Sequence, residues 1–553
     1  MESFSDISAG HLMVRQLEEQ GVERVYCVPG ESYLDVLDGL YDSKIRTVVC
    51  RQEGGAGMMA MSEARLTGRA GVAMVTRGPG AANAMIALHN AWQDGTPLVL
   101  FVGLIDSRER GREAFQDFSL EGWFGSTAKW VVTLDNPREA ARVVAHAFAV
   151  AESGKPGPVV IGVPEDILRH RVEASTEVPV ASQRVMPLES DLDEVIDQLQ
   201  AANAPTIIIG GEVWSAEAAA AVARIGEQLQ VPIAADFRAA DLVDNASEAY
   251  VGMLGYGRDP GLAAFVGESD LLLFLGCGRT DVLSEGYTIG NDATTIISST
   301  DAEHQGHYGR VDRSFTLSPA NFVVALSERL ATRGAEAAHD SAARAERLGR
   351  ARRAFEAFST PTADGAERAD LGVVMQAIAE LREPDAIVTY GAGNYAVWPQ
   401  RYLTSHVYPS LVAPKNGAMG LSVPSGVAAA LVSPERQVLT FAGDGCFLMN
   451  GQEIATAVAE GTNVTFFVFD NGIYGTIRVH QEREYPGRVS GTRLQNPDFA
   501  QFAESFGATG FTIEQPEQAR EVVQRALATE GVKLVHVFSD PEVRSPKPEV
   551  AWA

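Results

Sequence analysis

Two short apolar runs, in VLTFAGDG (438–445) and FFVFDNGIYG (466–475), each break off at a polar turn. Runs of this length, rich in β-branched and aromatic residues, predict buried strands. Between them NGQEIATAVAEG (450–461) predicts one helix, with Asn450 as N-cap, Glu453 completing a capping box and Gly461 as C-cap. A strand–helix–strand unit of about 30 residues makes neighbouring parallel strands. Asp444 and Asn471, 27 positions apart, then leave the carboxyl edge of one sheet, where open α/β folds bind ligands. An acidic oxygen and an amide oxygen there, beside a Gly-Asp-Gly turn with free N–H groups, suit a Mg2+ carrying a diphosphate.

The same alternation recurs along the chain. RVYCV (24–28), RTVVC (46–50), GVAMVT (71–76), PLVLFVG (97–103) and PVVIGVP (158–164) are strand-like and separated by helical stretches. After the proline-spotted VPVASQRVMPLES (178–190), a second block carries PTIIIGG (205–211), VPIAADF (231–237), DLLLFLGCG (270–278) and TTIISST (294–300). A charge- and Ala-rich stretch (327–358) predicts exposed helix and linker. A third block from about 363 holds DAIVTYGAG (385–393), the two opening runs and KLVHVFSD (533–540). Alternating strands and helices predict doubly wound parallel sheets, and 553 residues suffice for about three such α/β domains.

The net charge of −27 argues against nucleic acid or an anionic membrane as partner, though a local basic group can still serve an anionic substrate. Cys27, Cys50, Cys277 and Cys446 form no CxxC, so they read as buried thiols in a reducing cytoplasm. MESFSDIS lacks the features of a signal peptide, and no apolar run approaches the ~20 residues of a membrane span. No HEXXH, Walker loop or GxSxG with triad partners supports another reaction class.

GDGCFLMNGQEIATAVAEGTNVTFFVFDNGIYGTI (443–477) resembles the diphosphate-binding signature of thiamine-diphosphate (ThDP) enzymes, in their acetolactate synthase-like branch. The resemblance covers nearly the whole chain. It implies a pyrimidine domain (1–178), a Rossmann-like middle domain (190–330), a helical linker (331–362) and a diphosphate domain (363–553). By position it makes Asp444, Asn471 and the Ile473 carbonyl the Mg2+ ligands, with Asp470 in the place of the family's first Asn. Gly443, Gly445, Cys446, Tyr474, Gly475 and Thr476 fall in the same cofactor-binding segments, and GAGNYAVW adds Gly393, Asn394 and Tyr395. KNGAMG resembles the segment that grips the aminopyrimidine, with Met419 wedged between the cofactor's rings and the Gly417 carbonyl accepting the amino hydrogen.

Within VVCRQEGGAG (48–57), Glu53 matches the glutamate that activates the aminopyrimidine, and an apolar site should make it hold or share its proton. The family's flanking His and Gln are Gln52 and Gly54, which leaves Gln52 as a candidate catalytic group. TRGPGAANA resembles the following turn, with Arg77 replacing a small polar residue and Gly78 and Gly80 letting backbone approach the cofactor. Arg77, Phe115 and Gln116 are candidates for lining the substrate cleft. In YGTIRVHQE, His480 stands where branched-chain acetolactate synthases carry Trp, so it is a candidate proton donor or acceptor. LFLGCGRTDVLSEGY (273–287) falls where FAD-dependent acetolactate synthases carry Gly-Ala-Arg-Phe-Asp; the arginine is displaced to Arg279 and little else of the flavin pattern survives, so FAD is not expected. The resemblance implies a Mg2+-dependent lyase or carboligase acting on a 2-keto acid, with pyruvate as the first guess. Other carbonyl substrates, such as a 2-hydroxyacyl-CoA, a sulfonated aldehyde or an aromatic keto acid, or a subunit without turnover, are the alternatives. It also implies a homodimer or homotetramer, with the glutamate and the metal site contributed by different subunits.

Overall fold

The computed structural model describes residues 2–179, 184–211, 213–302, 309–333 and 341–546. Among the described residues there are three six-stranded sheets, and a short antiparallel pair joins β1 (Ser3–Ser8) to β8 (Arg171–Ser175). The first sheet contains β2 (Arg24–Cys27), β3 (Arg46–Val49), β4 (Gly71–Val75), β5 (Leu98–Leu104), β6 (Trp130–Thr133) and β7 (Pro158–Pro164), in the order β3-β2-β4-β5-β7-β6. The second contains β9 (Pro205–Ile209), β10 (Ile233–Asp236), β11 (Tyr250–Leu254), β12 (Leu271–Leu275), β13 (Thr294–Ser299) and β14 (Arg313–Thr316), ordered β11-β10-β9-β12-β13-β14. The third contains β15 (Ile387–Tyr390), β16 (Leu411–Val412), β17 (Val438–Gly443), β18 (Val464–Asp470), β19 (Thr509–Ile513) and β20 (Val532–Phe538), ordered β16-β15-β17-β18-β20-β19. Counted from its own first strand, the first sheet runs 2-1-3-4-6-5 and so does the third. The middle sheet runs 3-2-1-4-5-6, the dinucleotide-fold order.

The described residues pack as two compact units. One comprises residues 1–182 with 414–434 and 448–464; the other comprises 183–413 with 435–447 and 465–553. In the first unit, the Gly- and Ala-rich sequence of helix Glu53–Thr67 reflects close packing. A Cβ on Gly57 would lie 2.5 Å from Ala87 Cβ, and one on Gly71 would lie 1.9 Å from the Ala60 carbonyl oxygen. The same helix packs on helix Ser422–Val432, with a 2.8 Å hydrogen bond between the buried Ser62 and Ser425 hydroxyls. In the second unit each sheet has its own apolar core, centred on Ile207, Val222 and Leu273 for one and on Met375, Phe441 and Val535 for the other.

Two expectations are corrected here. The described residues of the stretch 327–358 are helical, in Pro319–Arg333 and Ser341–Ser359, but they are not simply exposed; 334–340 lie outside the described residues. Arg344 is buried and donates to the Leu199, Gln200, Ala202 and Leu229 carbonyls, while Leu348, Ala351 and Phe358 are buried too. The Arg344 charge serves carbonyl groups at helix ends that need donors, while Glu346, Arg350, Arg353 and Glu356 are exposed as expected. Second, the helix expected over 450–461 starts earlier, at Asp444, runs to Asn450, tightens into a 3-10 turn at Gly451–Glu453 and resumes as Ile454–Ala459. Asn450 makes no capping bond. Its side-chain amide donates instead to the Gly420 carbonyl at 2.9 Å, a buried acceptor that outcompetes the local cap. Gly461 does follow the helix end, with φ +64°, as a C-terminal glycine should.

Candidate functional site

In the second unit, β17 and β18 pair in parallel, with Gly443 opposite Phe469, so Asp444 and Asp470–Asn471 leave neighbouring strands at one edge. Asp444 Oδ1 accepts the Gly445 N–H at 2.8 Å, and Oδ2 accepts the Gly472 N–H at 2.9 Å and an Asn496 amide hydrogen at 2.8 Å. Asp470 Oδ1 takes the same Gly472 N–H at 3.0 Å and the same Asn496 amide at 2.8 Å. Behind it stands His536 of β20, buried, whose Nδ1 accepts the Phe499 N–H at 3.2 Å. That bond leaves the proton on Nε2, which donates to Asp470 Oδ2 at 3.0 Å. Burial first, and then the Asp470 charge, push the Asp444 carboxyl up to about 7. Asp470 is held below the usual range: burial opposes this, but the His536 and Asn496 hydrogen bonds outweigh it.

The residues around this pair form a tight second layer. Asn471 Oδ1 accepts the Ile473 N–H at 3.1 Å, and Ile473 bridges to Arg493. The glycines of GDG make room for rings: a Cβ at Gly443 would lie 2.7 Å from the Tyr395 ring, and one at Gly445 would lie 2.5 Å from the Tyr474 ring. The Tyr395 hydroxyl accepts the Gly391 N–H at 2.9 Å and donates to Cys446 Sγ at 3.1 Å. Thr476 Oγ1 accepts the Asn394 N–H at 3.0 Å and donates to Asn394 Oδ1 at 2.9 Å, tying the turn after Gly393 (φ +136°) to the helix starting at Gly475. On that helix His480 is exposed, within 3.1 Å of the Arg483 guanidinium.

These atoms suit a hard dication. The donors are a carboxylate, a carboxamide oxygen and a backbone carbonyl, all oxygens. Asp444 accepts hydrogen bonds from three neutral N–H groups, and Asn496 Oδ1 is buried without a partner beside two carboxylates. Among the described residues no group of three His, Cys, Asp or Glu side chains surrounds one point. A hard dication held by these oxygens would take the rest of its shell from other oxygen ligands.

In the first unit Glu53 is the first residue of helix Glu53–Thr67, and its Oε2 accepts the Asn83 amide at 2.9 Å. Gly80 leaves room for it, since a Cβ there would lie 3.2 Å from Glu53 Oε1. Gln52 is the N-cap: its Oε1 accepts the Gly55 N–H at 3.0 Å. Glu453, which the sequence assigns to a capping box, sends its carboxylate to this turn instead. Arg77 is buried between Glu31 (2.9 Å) and Glu165 (2.8 Å), so its charge is already matched. Gln116, with φ +63°, accepts the Gly78 N–H at 3.4 Å, while Phe115 is 77 % exposed. Met419 is half-buried after an Asn416 turn that includes the exposed Gly417. Four residues of the two clusters escape sequence reasoning: Asn496, His536, the Asp470 link and the true role of Glu453. A histidine inside the apolar run KLVHVF was the available signal for one of them; Asn496 gave none.

Middle-domain Arg279 is buried, and donates to the Arg310 (3.1 Å) and Gly290 (3.0 Å) carbonyls and to Thr295 Oγ1 (2.9 Å).

Comparison with known proteins adds an independent finding. Three family models match in chain order: the thiamine pyrophosphate enzyme N-terminal TPP binding domain (residues 7–122), its central domain (192–326) and its C-terminal TPP binding domain (391–537). The acetolactate synthase large subunit IlvB1 of Mycobacterium tuberculosis is 29% identical over 548 residues, covering 97% of this chain and 88% of that protein. The acetolactate synthase isozyme 2 large subunit of Escherichia coli is 28% identical, covering 96% and 95%. A catabolic acetolactate synthase of Raoultella terrigena is 27% identical, covering 96% and 94%.

Proposed function

We propose the following reaction for a chain that belongs to the thiamine pyrophosphate enzymes: decarboxylation of a 2-keto acid, pyruvate being the first to test, and transfer of the remaining acyl unit to a second carbonyl compound. The supporting observation is the parallel pairing of β17 and β18, which leaves Asp444 and Asn471 just past the ends of neighbouring strands, within a chain whose three domains match that family in order. Bound ThDP supplies the electron sink that lets a 2-keto acid lose CO2.

The chain's own residues would bind, orient and move protons. Asp444, Asn471 and the Ile473 carbonyl would hold Mg2+, with Asn496 and the Asp470–His536 pair keeping the Asp444 carboxylate in place. Gly393, Asn394, Tyr395, Gly443, Gly445, Cys446, Tyr474, Gly475 and Thr476 would form the diphosphate bed, Tyr395 and Thr476 being already locked to it. Glu53 would hold a proton against the aminopyrimidine, its carboxyl oriented by Asn83. Met419 and the Gly417 carbonyl would set the ring's pose. Gln52 is proposed to serve Glu53 through the helix cap and not as an acid or base, since its Oε1 is spent on Gly55. Phe115 and Gln116 would line the cleft, with Arg77 held by its two glutamates as a fixed wall, and the exposed His480, beside Arg483, would meet substrate oxygens. Arg279 is committed to its own domain's carbonyls, so the middle domain is proposed to act without FAD. The proposed active unit is a cytoplasmic homodimer or a tetramer of two such dimers.

Release of CO2 from pyruvate, followed with and without added aldehyde or keto-acid acceptors, tests the reading. Turnover should require both ThDP and Mg2+, and Glu53→Gln should lower kcat by about 10²- to 10⁴-fold, the usual weight of a positioned proton-transfer group. Near wild-type turnover in Glu53→Gln would sink the assignment of Glu53.

A further inference from the structure

We propose that Glu453 is a positioning residue for Glu53: its buried carboxylate anchors the Arg51–Gln52 turn from which the Glu53 carboxyl emerges. This rests on the reading of Glu53 given above. Glu453 is fully buried, at 0% exposure. Its Oε1 accepts the Arg51 and Gln52 N–H groups, both at 3.0 Å, and its Oε2 accepts the Arg51 N–H at 3.2 Å. Thr456 Oγ1 donates to Oε2 at 2.6 Å and fixes the carboxylate plane from one turn further along the chain. The two N–H groups belong to the residues just before helix Glu53–Thr67, whose positive end favours an anion there.

A structural filler would not need a charge at this point. Burying a carboxylate is costly unless its oxygens are satisfied, and here the bonds go to one turn. The helix makes way for it: a Cβ on Gly55 would lie 2.6 Å from Glu453 Oε1 and 3.2 Å from Cγ. That collision explains a glycine at the third helical position, where alanine is otherwise better by about 1 kcal/mol. Gln52 caps Gly55 from the other side, and Asn83 holds the far end of Glu53. Backbone, cap and side chain of Glu53 are thus fixed from three directions, and Glu453 supplies the backbone one. Since small misplacements of a reacting group cost up to about 10²-fold in rate, an anchor one residue away has leverage on chemistry without touching substrate.

The test uses the full-length protein with ThDP and Mg2+. Three readouts are measured on wild type, Glu453→Ala, Glu453→Gln and Glu53→Gln: ThDP affinity by calorimetry, exchange of the cofactor's C2 proton in D2O by quenched-flow NMR, and amide hydrogen exchange of the 51–55 peptide by mass spectrometry. Glu453→Ala should bind ThDP as wild type does, lose amide protection at 51–55 and slow C2 exchange by about 10²-fold, with kcat falling and KM steady. Glu453→Gln, which keeps an acceptor oxygen at the same reach, should recover most of both. Should Glu453→Ala not fold, Gly55→Ala displaces the carboxylate by collision and should give the same pair of losses. Wild-type C2 exchange in a folded Glu453→Ala or Gly55→Ala protein overturns the proposal, as does slowed exchange with amide protection unchanged. Wild-type C2 exchange in Glu53→Gln would instead overturn the reading of Glu53 itself; the amide protection of Glu453→Ala would still report whether the anchor exists.

Discussion

Glu453 shows how much a single side chain can carry once burial is counted. Burial pushes its carboxyl up to about 6 from a usual 4.5, against the hydrogen bonds from Thr456, Arg51 and Gln52, which favour the charged form. An acid whose pKa is raised on folding binds its proton more tightly in the native state. Its contribution to stability is therefore full below about 4.5 and is lost as the pH rises through about 6. At 1.36 kcal/mol per unit that is on the order of 2 kcal/mol, constant above the window. Other carboxylates titrate in the same range, so the difference between wild type and Glu453→Gln is the useful quantity. Denaturant titrations at steps from pH 4.5 to 7 should show the variant gaining on wild type by about that amount as the pH rises. A difference that is flat across the window would mean Glu453 is not the buried, proton-linked group described. Asn496 is the counterpart in the other cluster: one amide donates to two carboxylates 26 residues apart in sequence, and its own oxygen is left without a partner.

At the level of elements, the segment after β17 separates what local pattern can tell from what it cannot. N-x-x-E before an apolar run is a fair helix-start signal, and a helix does resume at Ile454. The signal failed because both side chains had better partners far along the chain: Gly420 for Asn450 and the Arg51–Gln52 turn for Glu453. Capping and the observed contact predict opposite outcomes for Asn450→Asp. As an N-cap, Asp is as good as Asn. As a buried donor to a carbonyl, Asp loses the bond and sets a carboxylate against the Gly420 oxygen, which should cost about 1–3 kcal/mol or more. Thermal unfolding of Asn450→Asp beside Asn450→Ala decides it: both should melt below wild type, with Asp no better than Ala. An Asp variant as stable as wild type would restore the cap. The strands fared better, because a continuous apolar run such as VLTFAG or LLLFL is a property of the segment itself. Asp444, Asn471 and Glu53 could be found since each ends or follows such a run, whereas Asn496 lies in a loop whose meaning comes only from what folds against it.

Across the whole molecule, the first and third sheets share one strand order, 2-1-3-4-6-5. Each sheet offers a carboxyl edge, one presenting Glu53 and the other Asp444 with Asn471, so two copies of one architecture carry different chemistry in their turns. Alternating strand and helix signals made that architecture readable, while the identity of the two strand orders was not, since order depends on which strands pair across the intervening helices. If the diphosphate end is held through the metal at Asp444, ThDP binding must be linked to Mg2+ and to folding. A ligand that binds only the native state stabilises it by RT ln(1 + [L]/Kd), about 2.7 kcal/mol at a hundred times Kd. Thermal unfolding should therefore shift upward with ThDP when Mg2+ is present and stay put when EDTA replaces it. In a chain of several domains the melt need not be one step, so the transition that moves is the one to follow. Asp444→Ala should abolish the shift, because it removes the one carboxylate in the proposed ligand set. A midpoint that climbs equally with ThDP in EDTA, or in Asp444→Ala, would place the diphosphate on other groups and remove the metal from the site.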